Sequence, residues 1–124
     1  MRYIIDLDGT ICDLKEPNQC YSEVKPKKNV KEALQKMVDR GDTIIIFTAR
    51  HMKTCENNVE LVEERIGDIT KNWLNRYEIP YDQLIFGKPY GDVYIDDLAY
   101  KFKGWDEFIK DNSFEKDNFE ELKK

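Results

Sequence analysis

The sequence predicts an α/β fold, a three-layer α/β/α sandwich built around a mainly parallel sheet. Two observations carry that expectation. Four short apolar, β-favouring runs are spaced along the chain, and segments of helical period lie between them. A third points to where function sits: each run is followed at once, or nearly so, by a residue suited to phosphate chemistry.

The first run is Tyr3-Ile4-Ile5, which stops at Asp6, and Gly9-Thr10 suits a sharp turn after it. Residues 12–28 have no clean period and contain Pro17, Asn18 and Pro26, so they read as an irregular flap. Val30, Ala33, Leu34, Met37 and Val38 repeat at helical spacing. Asn29 and Glu32 are placed like a capping box, and Gly41 stands at the expected stop. Thr43-Ile44-Ile45-Ile46-Phe47 is the second run, nearly continuous and β-branched, as in a central strand buried on both faces. Residues 51–67 are polar with weak helical spacing at Val59, Val62 and Ile66, and read as an accessory segment. Gly67-Asp68 is expected to separate it from a better helix carrying Ile69, Trp73, Leu74 and Tyr77, which Pro80 ends. Leu84-Ile85-Phe86 and Val93-Tyr94-Ile95 are expected as strands three and four. Trp105, Phe108 and Ile109, then Phe114, Phe119 and Leu122, suit a helical extension over 104–124 whose aromatics cap the core.

A chain of 124 residues, 40% hydrophobic, can bury one core but not two, so a single domain over 1–124 is expected. The net charge of −5 and the lack of a long basic block exclude general nucleic-acid binding; Lys25, Lys27 and Lys28 read as a solvated loop. No run approaches the ~20 apolar residues of a membrane span, and none resembles a signal peptide, so a cytoplasmic protein without membrane partners is expected. Cys12, Cys20 and Cys55 cannot all pair within one chain and lack CxxC spacing, so reduced thiols are expected.

In a parallel sheet the ligand crevice lies outside the carboxyl ends of the strands. Asp6 and Asp8 follow the first run, Thr48 the second, Lys88 the third, and Asp96 and Asp97 the fourth. Such groups, distant in sequence, converge on one site. The residue types suit displacement at phosphorus. Asp6 can attack to form an aspartyl phosphate, and Asp8 can serve as general acid and then general base. Lys88 offsets the negative charge, while the Thr48 hydroxyl and nearby backbone N–H groups, that of Ala49 included, hold phosphoryl oxygens. Arg50, with its planar fork, suits phosphate or a sugar acid, whereas His51, a lone histidine beside a loop, reads first as structural or solvated and second as a contact to the leaving group.

Asp6-Leu7-Asp8-Gly9-Thr10, Thr48, Lys88-Pro89 and Asp96-Asp97 resemble the four motifs of the haloacid dehalogenase-like phosphatase superfamily. The match spans residues 3 to 97. Thr48-Ala49-Arg50, Ile79-Pro80-Tyr81-Asp82 and Gly87-Lys88-Pro89 resemble the small capsule polysaccharide biosynthesis phosphatases within it. The resemblance implies a Rossmann-like sheet and Mg²⁺ held by the Asp6 carboxylate, the Asp8 backbone carbonyl and Asp96, with Asp97 in support. The activity implied is hydrolysis of a small phosphomonoester: a sugar, polyol or amino-alcohol phosphate feeding surface polysaccharide. Neither gap between motifs has room for a cap domain. The site is expected to be open, covered by the flap, by 51–67 or by a second copy in a homo-oligomer. A phosphotransferase of the same fold, or a phosphoacceptor receiver module, is the alternative; a receiver would place its acceptor Asp on a middle strand.

Overall fold

The computed structural model describes residues 1–111. In chain order these form β1 (Arg2–Asp6), a 3₁₀ turn (Tyr21–Glu23), α1 (Val30–Asp39), β2 (Thr43–Thr48), α2 (Val59–Arg76), β3 (Gln83–Phe86) and α3 (Trp105–Lys110). The three strands make one parallel sheet in the order β1-β2-β3. The expected α/β class with a parallel sheet is the one found, strands and helices alternating along the chain; among the described residues the helices pack on one face of the sheet, two layers where three were expected.

Tyr3 lies opposite Ile44, Ile5 opposite Ile46, and Ile46 opposite Leu84, so these side chains share one face. Each connection steps across the sheet in the same direction, and right-handed crossovers therefore place α1 and α2 on the same side. Packing agrees: Ile5, Ile44 and Ile46 share one core with Ala33, Leu34 and Met37 of α1 and Trp73 and Leu74 of α2. α3 joins that side through Trp105 and Phe108, the latter edge-on to Tyr3. On the other face Ile4 is 64% exposed.

Gly41 ends α1 as expected. It takes φ 84°, and the Gly41 N–H to Val38 and Asp42 N–H to Met37 bonds form a Schellman motif. The capping box at the other end does not form. Asn29 is in the left-handed region at φ 62°, which turns its side chain away from the helix N–H groups; its amide donates to Asp106 instead.

Two further expectations are corrected. Gly67-Asp68 does not divide the chain, because α2 runs unbroken from Val59, with the Asn58 side chain accepting from Leu61 N–H at 3.1 Å as the N-cap. A mid-helix glycine costs about 1 kcal/mol against alanine, and the buried stripe Val62, Ile66, Thr70, Trp73 and Leu74 outweighs it. The stripe uses Thr70 where Ile69 was expected. Residues 51–67 are thus a turn plus the first half of α2. Val93-Tyr94-Ile95 does not form strand four, and Ile95 is 95% exposed. Local bonds compete with a ladder over so short a run: Tyr94 O–H donates to the Pro89 carbonyl, and the Asp96 carboxylate accepts from Leu98 N–H. Phe114, Phe119 and Leu122 lie outside the described residues.

The flap is irregular but anchored. Asp13 N–H to Lys25 and Lys27 N–H to Ile11 bonds tie its two ends together, and the Trp73 indole N–H donates to the Val24 carbonyl at 2.8 Å. No helix among the described residues is long and apolar enough to cross a membrane.

Candidate active site

β1 ends in Asp6, and the chain then turns sharply. Ile11 and Cys12 N–H groups both reach back to the Leu7 carbonyl, and Gly9 adopts φ 87°, a conformation that strains any residue with a Cβ. The turn leaves Asp6 and Asp8 at the sheet's carboxyl end, beside Thr48 at the end of β2.

Asp6 is partly exposed and held from both sides. Lys88 Nζ lies 3.1 Å from Oδ1, and Thr10 Oγ donates to Oδ2 at 3.3 Å. The lysine is itself positioned by three features. Gly87 turns the chain at φ 102°, Lys88 N–H donates to the Thr48 carbonyl at 3.0 Å, and the Tyr94 ring lies under the ammonium at 4.1 Å.

Asp8 belongs to a separate, more enclosed network. Arg50 Nε lies 3.0 and 3.1 Å from its two carboxylate oxygens, and Thr48 Oγ donates to Oδ2 at 3.3 Å. Arg50 is 3% exposed. Its other nitrogens donate to Thr70 Oγ at 3.1 Å and to Cys12 Sγ at 3.6 Å, and the guanidinium stacks on Tyr21 at 4.2 Å. Arg50 is therefore committed to Asp8 and to the interior, where phosphate binding had been expected of it. Thr48 is likewise engaged, donating to Asp8 and accepting from Arg50 N–H at 3.0 Å.

Burial, reinforced by the charge of Asp8, pushes the Cys12 thiol up to about 12, so it remains protonated and inert as a nucleophile. Burial, then the charges of Arg65, Arg50 and Lys15, lowers the pKa of His51.

Asp6, Asp8, Thr48 and Lys88 thus lie together. Ala49 lines the adjoining cleft of about 650 Å³ along with Asp8 and Arg50. Asp96 and Asp97 are not brought in; both are exposed on the turn after residue 95, where Asp96 is bonded to Leu98. Among the described residues no cluster of three or more His, Cys, Asp or Glu side chains is assembled for a metal. The donors that remain are hard oxygens, the Asp6 carboxylate and the Asp8 carbonyl two residues on. That set suits Mg²⁺, which often takes one or two carboxylates and completes its shell with water and substrate oxygens. Thr10, Thr70 and Tyr21 had been given no role from the sequence. Thr10 had a signal in its place beside the DxD turn, whereas a threonine within a polar helix and a tyrosine in an aperiodic flap had none.

A family model described as haloacid dehalogenase-like hydrolase matches residues 3–79. A structural-genomics crystal structure from Vibrio cholerae is 33% identical, covering 98% of this chain and 94% of that one at a TM-score of 0.80. A chain of the Pnkp1/Rnl/Hen1 complex shares the fold at 21% identity and a TM-score of 0.52, over 90% of this chain and 34% of its own length. No curated protein matches.

Proposed function

Since the chain belongs to the haloacid dehalogenase-like hydrolases, we propose that it is a Mg²⁺-dependent phosphatase acting on a small phosphomonoester through an aspartyl phosphate on Asp6. The observation that supports this best is the division of labour between the two acids. Asp6 faces Lys88 at 3.1 Å, while Asp8, two residues on, is held independently by Arg50 and Thr48.

An Asp6 oxygen attacks phosphorus as the bond from phosphorus to the substrate oxygen breaks, and Asp8 gives the departing alkoxide its proton. Water then attacks the phosphorus of the acyl phosphate, Asp8 takes the proton, and Asp6 is released with inorganic phosphate. Lys88 neutralises charge shared by the nucleophile and the phosphoryl oxygens. Arg50 fixes the direction of the Asp8 carboxylate, and its own position is fixed by Thr70. Mg²⁺, held by Asp6 and the Asp8 carbonyl, supplies positive charge at the transferring group when bound.

The leaving alcohol belongs to a sugar, a polyol or an amino alcohol, in capsule or surface polysaccharide biosynthesis in the cytoplasm. That narrower reading rests on the resemblance of residues 48–50, 79–82 and 87–89. Hydrolysis of p-nitrophenyl phosphate is expected to stop on chelation and to return with added Mg²⁺; full activity after chelation rejects the metal dependence. Asp8→Asn should slow alkyl phosphates far more than aryl phosphates, and equal losses reject its acid role.

A further inference from the structure

The cleft beside Asp8 carries charge that the catalytic groups do not account for. Its walls come from three separate segments: Lys15 and Tyr21 of the flap, His51 and Lys53 of the turn before α2, and Tyr90 after β3. Among the described residues Asp8 is the one acid in that lining, and Arg50 pairs with it. Those two charges cancel. Lys15 and Lys53 remain, and neither forms an ion pair among the described residues.

On a chain of net charge −5 with 25 acids, Lys15 is half-buried and Lys53 exposed, and among the described residues neither is paired with an acid. Here each ammonium lies 5.6 Å from the centroid of a tyrosine ring of the same cleft, Lys15 over Tyr21 and Lys53 over Tyr90. The rings provide flat, amphipathic surface, and the lysines add positive charge from two walls. Lys15 also donates to the backbone carbonyl of Glu16 at 3.2 Å, a neutral acceptor, and has no counter-ion among the described residues. Burial first, and then the charges of Arg65, Arg50 and Lys15, disfavour protonation of His51, so a positive field adds to desolvation at this wall of the cleft.

We propose that the leaving group of the substrate carries a second anionic group, a carboxylate or another phosphate, held between Lys15 and Lys53 while its body lies against Tyr21 and Tyr90. The proposal rests on the phosphatase reading and deepens it. The scissile phosphate sits at Asp6 and Lys88, the departing oxygen faces Asp8, and the remainder of the molecule extends into the cationic part of the cleft. Such an enzyme discriminates by charge at the far end of its substrate, and its preference weakens with salt.

Three probes share a primary phosphate on a three-carbon body: glycerol 3-phosphate, 3-phosphoglycerate and glycerol 1,3-bisphosphate. With Mg²⁺ present, kcat/KM for at least one of the two with an added anion is expected to exceed that for glycerol 3-phosphate by about tenfold at low salt. The larger gain identifies the anion. Lys15→Ala with Lys53→Ala should erase the preference while leaving turnover of p-nitrophenyl phosphate unchanged. Equal rates on all three probes, alongside normal Mg²⁺-dependent aryl phosphatase activity, overturn the proposal and leave the phosphatase reading standing. A preference that survives both substitutions overturns the assignment to these lysines. Failure to release phosphate from any probe, the aryl ester included, overturns both readings.

Discussion

Replacing Arg50 by methionine removes the link between Asp8 and the interior while keeping much of the side-chain volume. The Arg50 side chain is 0% exposed and that of Asp8 21%. The substitution deletes a pairing to both carboxylate oxygens, the bond to Thr70 and the face-on contact with Tyr21. Breaking a buried pair from one side costs about 3–5 kcal/mol. Asp8 retains some contact with water, which recovers part of that loss, so a destabilisation of about 2–3 kcal/mol is expected. Asp8→Asn leaves a wholly buried guanidinium without its counter-charge and should cost about 3–4 kcal/mol. Once one partner is gone the other has less to lose. The double variant should therefore be more stable than the sum of the two losses implies, by about 1–3 kcal/mol. Urea unfolding followed by circular dichroism gives the four free energies, with a constant m-value showing that the unfolded state is comparable. Losses that add to within about 0.5 kcal/mol would refute the coupling.

Gly87→Ala should cost about 1–3 kcal/mol through its backbone conformation alone, and its Cβ would lie 2.9 Å from Val59 Cγ2. The strain displaces Lys88, so aryl phosphatase activity should fall with stability; unchanged melting and turnover would contradict this. Cys12 gives a pH dependence. Its thiol is raised from 9.0 to about 12 in the folded chain, so between those values the unfolded chain loses its proton first. Stability from this group is complete below pH 9 and is lost as pH rises toward 12. Tyr3 and Tyr21, raised mainly by burial, act in the same direction from 10.0 upward. Cys12→Ala should make the alkaline decline in stability shallower, and an identical slope would refute it. Iodoacetamide at neutral pH should modify exposed Cys20 while sparing buried Cys12 and Cys55; fast labelling of all three would contradict the packing.

The strands that carry the site were legible because their residues leave few alternatives. A run such as Thr43-Ile44-Ile45-Ile46-Phe47 fits a parallel sheet, and parallel strands bring their carboxyl ends to one edge. The meeting of Asp6, Asp8, Thr48 and Lys88 follows from that edge. Elements decided by tertiary contacts were not legible. Gly67 read as a break because propensity speaks against it, yet the buried stripe on both sides carries the helix through. Val93-Tyr94-Ile95 has strand composition, but local bonds from Tyr94 and Asp96 replace a ladder. Arg50 read as a phosphate ligand because its fork suits one. Its actual partners, Asp8, Thr70, Cys12 and Tyr21, come from segments that only the folded chain assembles.

The central claim is that Asp6 becomes covalently phosphorylated. Acid quenching in the first turnover with p-nitrophenyl phosphate and Mg²⁺, followed by peptide mapping, should find one phosphoryl group on Asp6, and Asp6→Asn should show neither the adduct nor turnover. An adduct on another residue, or an Asp6→Asn variant that keeps most of its activity, would contradict it.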